Sequence, residues 1–255
     1  MRKIVIANQK GGVAKTTTAV NIATGLGMVG KQTLLIDMDP QANATFAVLG
    51  DEPESNSTYD LIINNASLDK VIRRTKRPNL DIIPSNIDLA AAEVELISKV
   101  GGQTRLRTKL GEIERSSYYD FVIIDAPPSL GFLTINALAA ADEVLIPVPA
   151  SVFALKGIQR LEDTIASVRT DLGCPKLHIG GVLCTVYENT NVAKDVRSEI
   201  QGRFGDLVYR TNIPKTIKFE ESHGRTMSIF EYAPEHASAA AYSNLVQEIL
   251  HREHH

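Results

Sequence analysis

Short apolar runs rich in branched residues recur along this chain, at residues 4–7, 33–37, 80–83, 121–125, 143–148 and 179–184. Hydrophobicity that is nearly continuous over so few residues marks strands buried on both faces, the pattern of a parallel sheet. Parallel strands need long crossovers. Helical patterns at 16–29, 87–100, 104–115, 130–140, 156–172, 192–204 and 237–251 can supply most of them. The alternation predicts an α/β fold: a doubly wound, mainly parallel sheet with helices on both faces. No internal repeat or linker interrupts it, so one domain spanning residues 1–255 is expected, with residues 50–57 as a polar surface loop. Ligands of such folds sit at the carboxyl ends of the strands, and the chain's motifs fall there.

After the first run comes Lys10-Gly11-Gly12-Val13-Ala14-Lys15-Thr16-Thr17, and then a helical pattern. A strand, a glycine turn and a helix N-terminus in that order make a phosphate cradle, because the turn amides and the positive end of the helix dipole both face an anion. Lys15 would neutralise the outer phosphates, and the Thr16 hydroxyl would hold magnesium. The usual G-x-x-x-x-G-K-[ST] pattern fails at both outer glycines, where Gln9 and Ala14 stand. A second lysine, Lys10, lies five residues before the first. A glycine pair between strand and helix also occurs without any nucleotide, so the loop gains weight from the motifs around it.

The second run ends in Asp37-Met38-Asp39-Pro40-Gln41-Ala42-Asn43. Strand alternation puts Asp37 and Asp39 on one side, where one can orient a water while the other supports magnesium; equally, both can cap the turn. The fourth run ends in Asp125-Ala126-Pro127-Pro128-Ser129. A carboxylate at the end of such a strand is the Walker B arrangement, reaching Mg²⁺ directly or through its water. The two prolines stiffen the next loop and remove two backbone donors, which suits a switch that moves when a γ-phosphate leaves.

Composition excludes several classes. Cys174 and Cys184 give neither a disulfide framework nor metal-ligand spacing, and read as buried thiols. No apolar stretch approaches the ~20 residues of a membrane span, and Met1-Arg2-Lys3 leads straight into the first strand, so no signal peptide is expected. A net charge of −3 argues against a general nucleic-acid coat. Between Lys194 and Arg225, however, seven basic residues (Lys194, Arg197, Arg203, Arg210, Lys215, Lys218, Arg225) face five acidic ones, a local excess of two. By composition alone this is an ordinary solvated surface.

Taken together, the three motifs resemble the ParA/Soj partition ATPases within the wider MinD-like deviant Walker A group of P-loop NTPases. The resemblance covers nearly the whole chain, to Ile213-Pro214 and Ser222-His223-Gly224. It rests on Lys10-Gly11-Gly12-x-x-Lys15-Thr16, on Asp39-Pro40-Gln41 as a first switch, and on Asp125-Ala126-Pro127-Pro128 as a second. It implies Mg²⁺-dependent ATP hydrolysis that is weak without a partner, and a homodimer sandwiching two ATP molecules. Residues 10–17 would bind the nucleotide, Lys10 would reach the phosphates held by the other subunit, Asp39 would position the attacking water, and Pro214 would contact adenine. It also implies non-specific DNA binding, with Lys194, Arg197, Arg203, Lys215, Lys218 and Arg225 as candidate contacts. Stimulation by a ParB-like or other adaptor and a cytoplasmic, nucleoid-associated location follow from the same likeness.

Ala14 departs from the family, which usually has glycine there; its methyl costs energy if φ is positive. The segment after Pro214 looks shorter than in Soj. The cargo stays open among a chromosome, a plasmid and a protein microcompartment, the last as for McdA relatives. A MinD-like membrane alternative needs a C-terminal amphipathic helix with cations beside bulky apolar residues, whereas residues 237–250 are alanine-rich and read as a helix packed on the body.

Overall fold

Alternate residues of the central strands go to opposite sides of one sheet, and each side carries its own apolar core. The computed structural model describes residues 1–51, 56–151 and 154–252. Val5, Leu34, Ile36, Val122, Ile124, Val144 and Ile146 enter one buried cluster, and Ile4, Ile6, Leu35, Ile123 and Leu145 the other. This period of two, with both faces buried, is what the apolar runs required.

The elements run β1 (Arg2–Ile6), α1 (Lys15–Met28), β2 (Thr33–Asp37), α2 (Asn43–Leu49), α3 (Thr58–Ile62), α4 (Leu68–Val71), β3 (Arg73–Arg74) and β4 (Leu80–Ile83). Then come α5 (Leu89–Ser98), α6 (Arg105–Ser116), β5 (Phe121–Asp125), α7 (Phe132–Ala140), β6 (Glu143–Pro149), α8 (Ile158–Asp171) and β7 (His178–Tyr187). The chain closes with α9 (Asn191–Phe204), β8 (Val208–Pro214), α10 (Lys218–His223), α11 (Ile229–Tyr232) and α12 (Ala237–His251). The eight strands are ordered β3-β4-β2-β5-β1-β6-β7-β8. All pairings are parallel except β3 with β4. The fold is therefore the expected doubly wound, mainly parallel sheet. Register sets Ile6 beside Asp125 and Asp37 beside Asp125, so the ends of β1, β2 and β5 lie together.

Several boundaries differ from the sequence reading. β8 has no apolar run because it is an edge strand with exposed and half-buried residues at 210–212. Helix α5 begins at Leu89 and stops at Ser98, since Lys99 is extended and Val100 is 97% exposed. Helix α7 begins at Phe132, not residue 130, because Gly131 is extended. A 3-10 turn, Ala154–Gly157, precedes α8 where one continuous helix was expected. The expected loop at 50–57 falls partly on residues 52–55, outside the described residues. Its last residue, Ser57, is buried and closes a capping box with Asp60 at the start of α3.

α12 packs on α1. Tyr242, Leu245, Val246 and Ile249 are buried, and the Tyr242 hydroxyl lies 3.1 Å from that of Thr18. At the other end of the sheet, Arg2 Nε and Nη2 donate to the Glu143 carboxylate at 2.8 Å each, and Nη1 donates to Ile249 O. The buried ion pair thus ties β1 to β6, and the bond to Ile249 O ties β1 to α12. Among the described residues no helix is long and apolar enough to cross a membrane.

Candidate functional site

The loop between β1 and α1 is held from below and open above. Asn8 Nδ2 donates to Pro147 O at 2.7 Å, its Oδ1 accepts the Lys10 amide at 3.0 Å, and the Thr185 hydroxyl donates to Val13 O at 3.1 Å. Gly12 has φ +70, a left-handed conformation that favours glycine, and nothing lies within 4 Å of where a Cβ would stand. Ala14, the N-cap of α1, also lies in the left-handed region, at φ 64 and ψ 35. The methyl at this position therefore carries the strained alternative foreseen for a positive φ. No side chain caps α1 and no acid sits in its first turn. The positive end of a fourteen-residue helix is left facing the cleft.

A cleft of about 610 Å³ opens over this helix end. Gly11, Gly12, Ala14, Lys15, Thr16 and Thr17 line its floor, Asp39, Gln41 and Asn43 one side, and Val186, Pro214 and Phe219 another. Lys10 is not among its lining residues; it is exposed, and its backbone oxygen accepts from Lys15 Nζ at 3.2 Å.

The two aspartates after β2 separate into different tasks. Asp37 is fully buried: Oδ1 accepts the Asp39 amide at 3.0 Å, and Oδ2 accepts the Thr45 amide and hydroxyl at 2.9 and 2.8 Å. It shapes the turn, which was one of the two readings left open. Burial pushes its pKa up to about 6, against those three hydrogen bonds and with the Asp39 charge adding to the rise. Asp39 accepts the Gln41 amide at 3.0 Å and lines the cleft.

Asp125 is the anomaly. It is fully buried, and neither carboxylate oxygen has a hydrogen-bond partner among the described residues. Burial raises its pKa well above the carboxylate range, and Asp37 and Asp39 push the same way. The Thr16 hydroxyl, close by but outside hydrogen-bond geometry, and the Lys15 ammonium pull it back. Lys15, itself buried, has its pKa lowered by desolvation, with Asp125 and Asp39 opposing. Three carboxylates against one buried lysine leave local negative charge beneath a floor built for an anion. A divalent cation would reconcile the two, and Thr16 and Asp125 are residues that could hold it. Among the described residues no group of three or more His, Cys, Asp or Glu forms a cage. That suits Mg²⁺, which keeps waters and uses phosphate oxygens alongside one or two protein ligands.

The sequence missed part of this cleft. Val186 sits at φ 49, rare for a β-branched residue, where the pairing of β7 with β8 shifts register between Cys184 and Tyr187. Phe46 and His223 also line the cleft. Burial, aided by the nearby Arg77 charge, lowers the His223 pKa to about 4. Only a conserved spacing across distant segments would have exposed them, and one sequence does not carry that.

The candidate DNA residues engage different partners. Lys215 lines the nucleotide-side cleft and pairs with Glu188 at 3.3 Å. Lys218 and Arg225 meet over the Tyr232 ring, at 5.6 and 5.4 Å, and Lys218 also pairs with Glu221. On α9, Lys194 is exposed, Arg197 donates to Asn212 at 2.9 Å, and Arg203 pairs with Glu162 of α8.

Comparison with known proteins settles the family. A profile described as an AAA domain matches residues 1–179. The sporulation initiation inhibitor protein Soj of Bacillus subtilis is 41% identical over 249 residues, covering 96% of this chain and 97% of that protein. The chain belongs to the ParA/Soj family of partition ATPases. Two solved structures extend the likeness of this ParA/Soj-family chain to three dimensions. Cobyrinic acid a,c-diamide synthase of Mycobacterium smegmatis, with bound ADP and magnesium, has a TM-score of 0.85 at 32% identity, covering 98% of this chain and 94% of that one. The ATP complex of Cyanothece McdA also has a TM-score of 0.85, at 25% identity, covering 99% and 97%.

Proposed function

We propose that this chain is a Mg²⁺-dependent ATPase, one domain over residues 1–255, that dimerises around ATP and positions a cargo on DNA. The observation that carries the proposal is the pairing of an uncapped helix end and Lys15 with Asp125, buried beneath them and lacking a hydrogen-bond partner. An anion alone would leave Asp125 uncompensated, and a cation alone would leave the helix dipole unused; a metal-bound polyphosphate satisfies both. Two relatives support the same reading, the chromosome-partitioning ATPase Soj of Treponema pallidum and the ATP complex of Cyanothece McdA.

Within this proposal residues 10–17 cradle the phosphates and Lys15 neutralises their charge. Magnesium, held by Thr16 and Asp125, would supply charge stabilisation at the β- and γ-phosphates. Asp39 orients the attacking water, and Pro214, with Val186 and Phe219 near it, faces the base. Lys10, exposed and outside its own cleft, is free to serve the nucleotide of a second subunit, so the dimer completes the site. A cation supplied in this way stabilises charge in phosphoryl transfer and couples hydrolysis to association.

DNA binding is proposed through Lys215, Lys218 and Arg225, with Lys194, Arg197 and Arg203 as a second group. Doubling both groups on dimerisation multiplies the salt-sensitive phosphate contacts. Stimulation by a ParB-like adaptor and a nucleoid location are parts of the same proposal. A membrane role fits less well, because the apolar residues of α12 pack inward against α1.

Phosphate release measured with ATP for wild type, Lys15→Ala and Lys10→Ala tests the chemistry, and a salt titration of DNA retention tests the interface. Both variants are expected to lose turnover, and retention in ATP is expected to fall steeply with salt. Full turnover in Lys15→Ala would overturn the site. Retention indifferent to salt, or surviving charge reversal of Lys215, Lys218 and Arg225, would overturn the interface.

A further inference from the structure

From Asp125 the chain runs through Pro127, Pro128 and Ser129 directly into α7 (Phe132–Ala140), so the start of this helix fixes one end of the loop. Helix α7 lacks a cap of its own: its N-cap is Gly131, and no acid lies in its first turn. The cap comes from another helix. Glu93 of α5 accepts the Phe132 amide on Oε2 at 2.7 Å and the Leu133 amide on Oε1 at 3.3 Å. A Cβ at residue 131 would stand 2.5 and 2.6 Å from the two Glu93 oxygens, so the glycine is what lets the carboxylate in. One residue further on, the Thr134 hydroxyl donates to Ser129 O at 2.6 Å. The same first turn thereby holds α5 on one side and the loop on the other.

We propose that Glu93 is a positioning residue for ATP hydrolysis: a carboxylate that caps α7 from α5 and so holds the Asp125 loop in register with the phosphate floor. The inference rests on the ATPase reading above. Charge-assisted bonds to a helix N-terminus are stronger than neutral ones and gain from the helix dipole. Gln at this position keeps an acceptor and loses the charge; Ala loses both. Gly131→Ala evicts the same carboxylate without touching it chemically.

The test is steady-state phosphate release against ATP and Mg²⁺ concentration for wild type, Glu93→Ala, Glu93→Gln and Gly131→Ala, with amide exchange at Phe132 and Leu133. Displacing the loop by a fraction of an ångström is expected to lower kcat about tenfold in Glu93→Ala and Gly131→Ala. The KM for ATP should stay within about twofold, and half-maximal activity should need more Mg²⁺. Glu93→Gln should fall between, and exchange at both amides should quicken in Glu93→Ala. Wild-type kcat in Glu93→Ala, or a change in thermal stability with no change in kcat, would overturn the inference. If wild type itself releases no phosphate, the ATPase reading fails; the exchange arm then decides on the cap alone, and unchanged protection overturns it.

Discussion

Ala14→Gly should make this protein more stable. Ala14 is held at φ 64 and ψ 35, and an L-residue in that region costs about 1–2 kcal/mol. Glycine removes that strain but widens the unfolded ensemble, which gives back about 0.4–1 kcal/mol. The difference centres on a net gain of about 0.5–1 kcal/mol. For a chain of this size that corresponds to a rise of about 1–4 °C in unfolding temperature. The assay is thermal unfolding of the nucleotide-free protein, followed by calorimetry or circular dichroism. Because the substitution preserves the loop's conformation, ATP affinity should change by less than about threefold. A lower unfolding temperature for Ala14→Gly would refute the assignment of strain to this residue. Unchanged stability with a large loss of ATP affinity would show instead that the methyl is a nucleotide contact.

Asp37, with a folded pKa of about 6, binds its proton more tightly in the native state than its ordinary value of 3.8 allows, and burial moves Asp125 in the same direction. The Asp37 contribution to stability is therefore full below about pH 4 and is lost as pH rises through about 6, and the Asp125 contribution is likewise lost as pH rises. Unfolding temperatures in EDTA should decline between pH 5 and 7 on this account, and a rise across that window would contradict it. Asp125→Asn should be more stable than wild type at pH 8 without metal, with the gap narrowing toward pH 5, and should lose Mg²⁺-dependent turnover. Equal stability at both pH values would argue against a costly buried charge. Arg2→Ala removes two charge-assisted hydrogen bonds to Glu143, whose side chain is 7% exposed, and should cost about 1.5–3 kcal/mol in urea unfolding. A loss below about 1 kcal/mol would show that water reaches Glu143.

Strands buried on both faces were the most legible part of the sequence. Residues 33–37, 80–83 and 121–125 form β2, β4 and β5 bound for bound, because every residue of β2 and β5 and all of β4 but Asp81 is buried. β8 was hidden by the polar residues of an edge strand, and β3 is only two residues long. In the site, Lys15, Thr16 and Asp39 come together around one cleft, as their places after β1 and β2 required, with Asp125 buried beneath. The unlike tasks of Asp37 and Asp39 were illegible, since Thr45 decides them from α2. Val186 could not be found by residue type, because its left-handed backbone comes from the register shift in β7. Glu93 reads as one more acid on an amphipathic helix until the fold brings α7 against it.

In the proposed cycle ATP, and not ADP, joins two chains through this cleft. The direct measurement is the molar mass of Asp39→Ala by light scattering in Mg²⁺, first with ATP and then with ADP. Twice the 27.8 kDa of one chain is expected with ATP and a single chain with ADP. Adding Lys10→Ala should weaken the ATP dimer. A monomeric Asp39→Ala in saturating ATP would refute ATP-driven dimerisation.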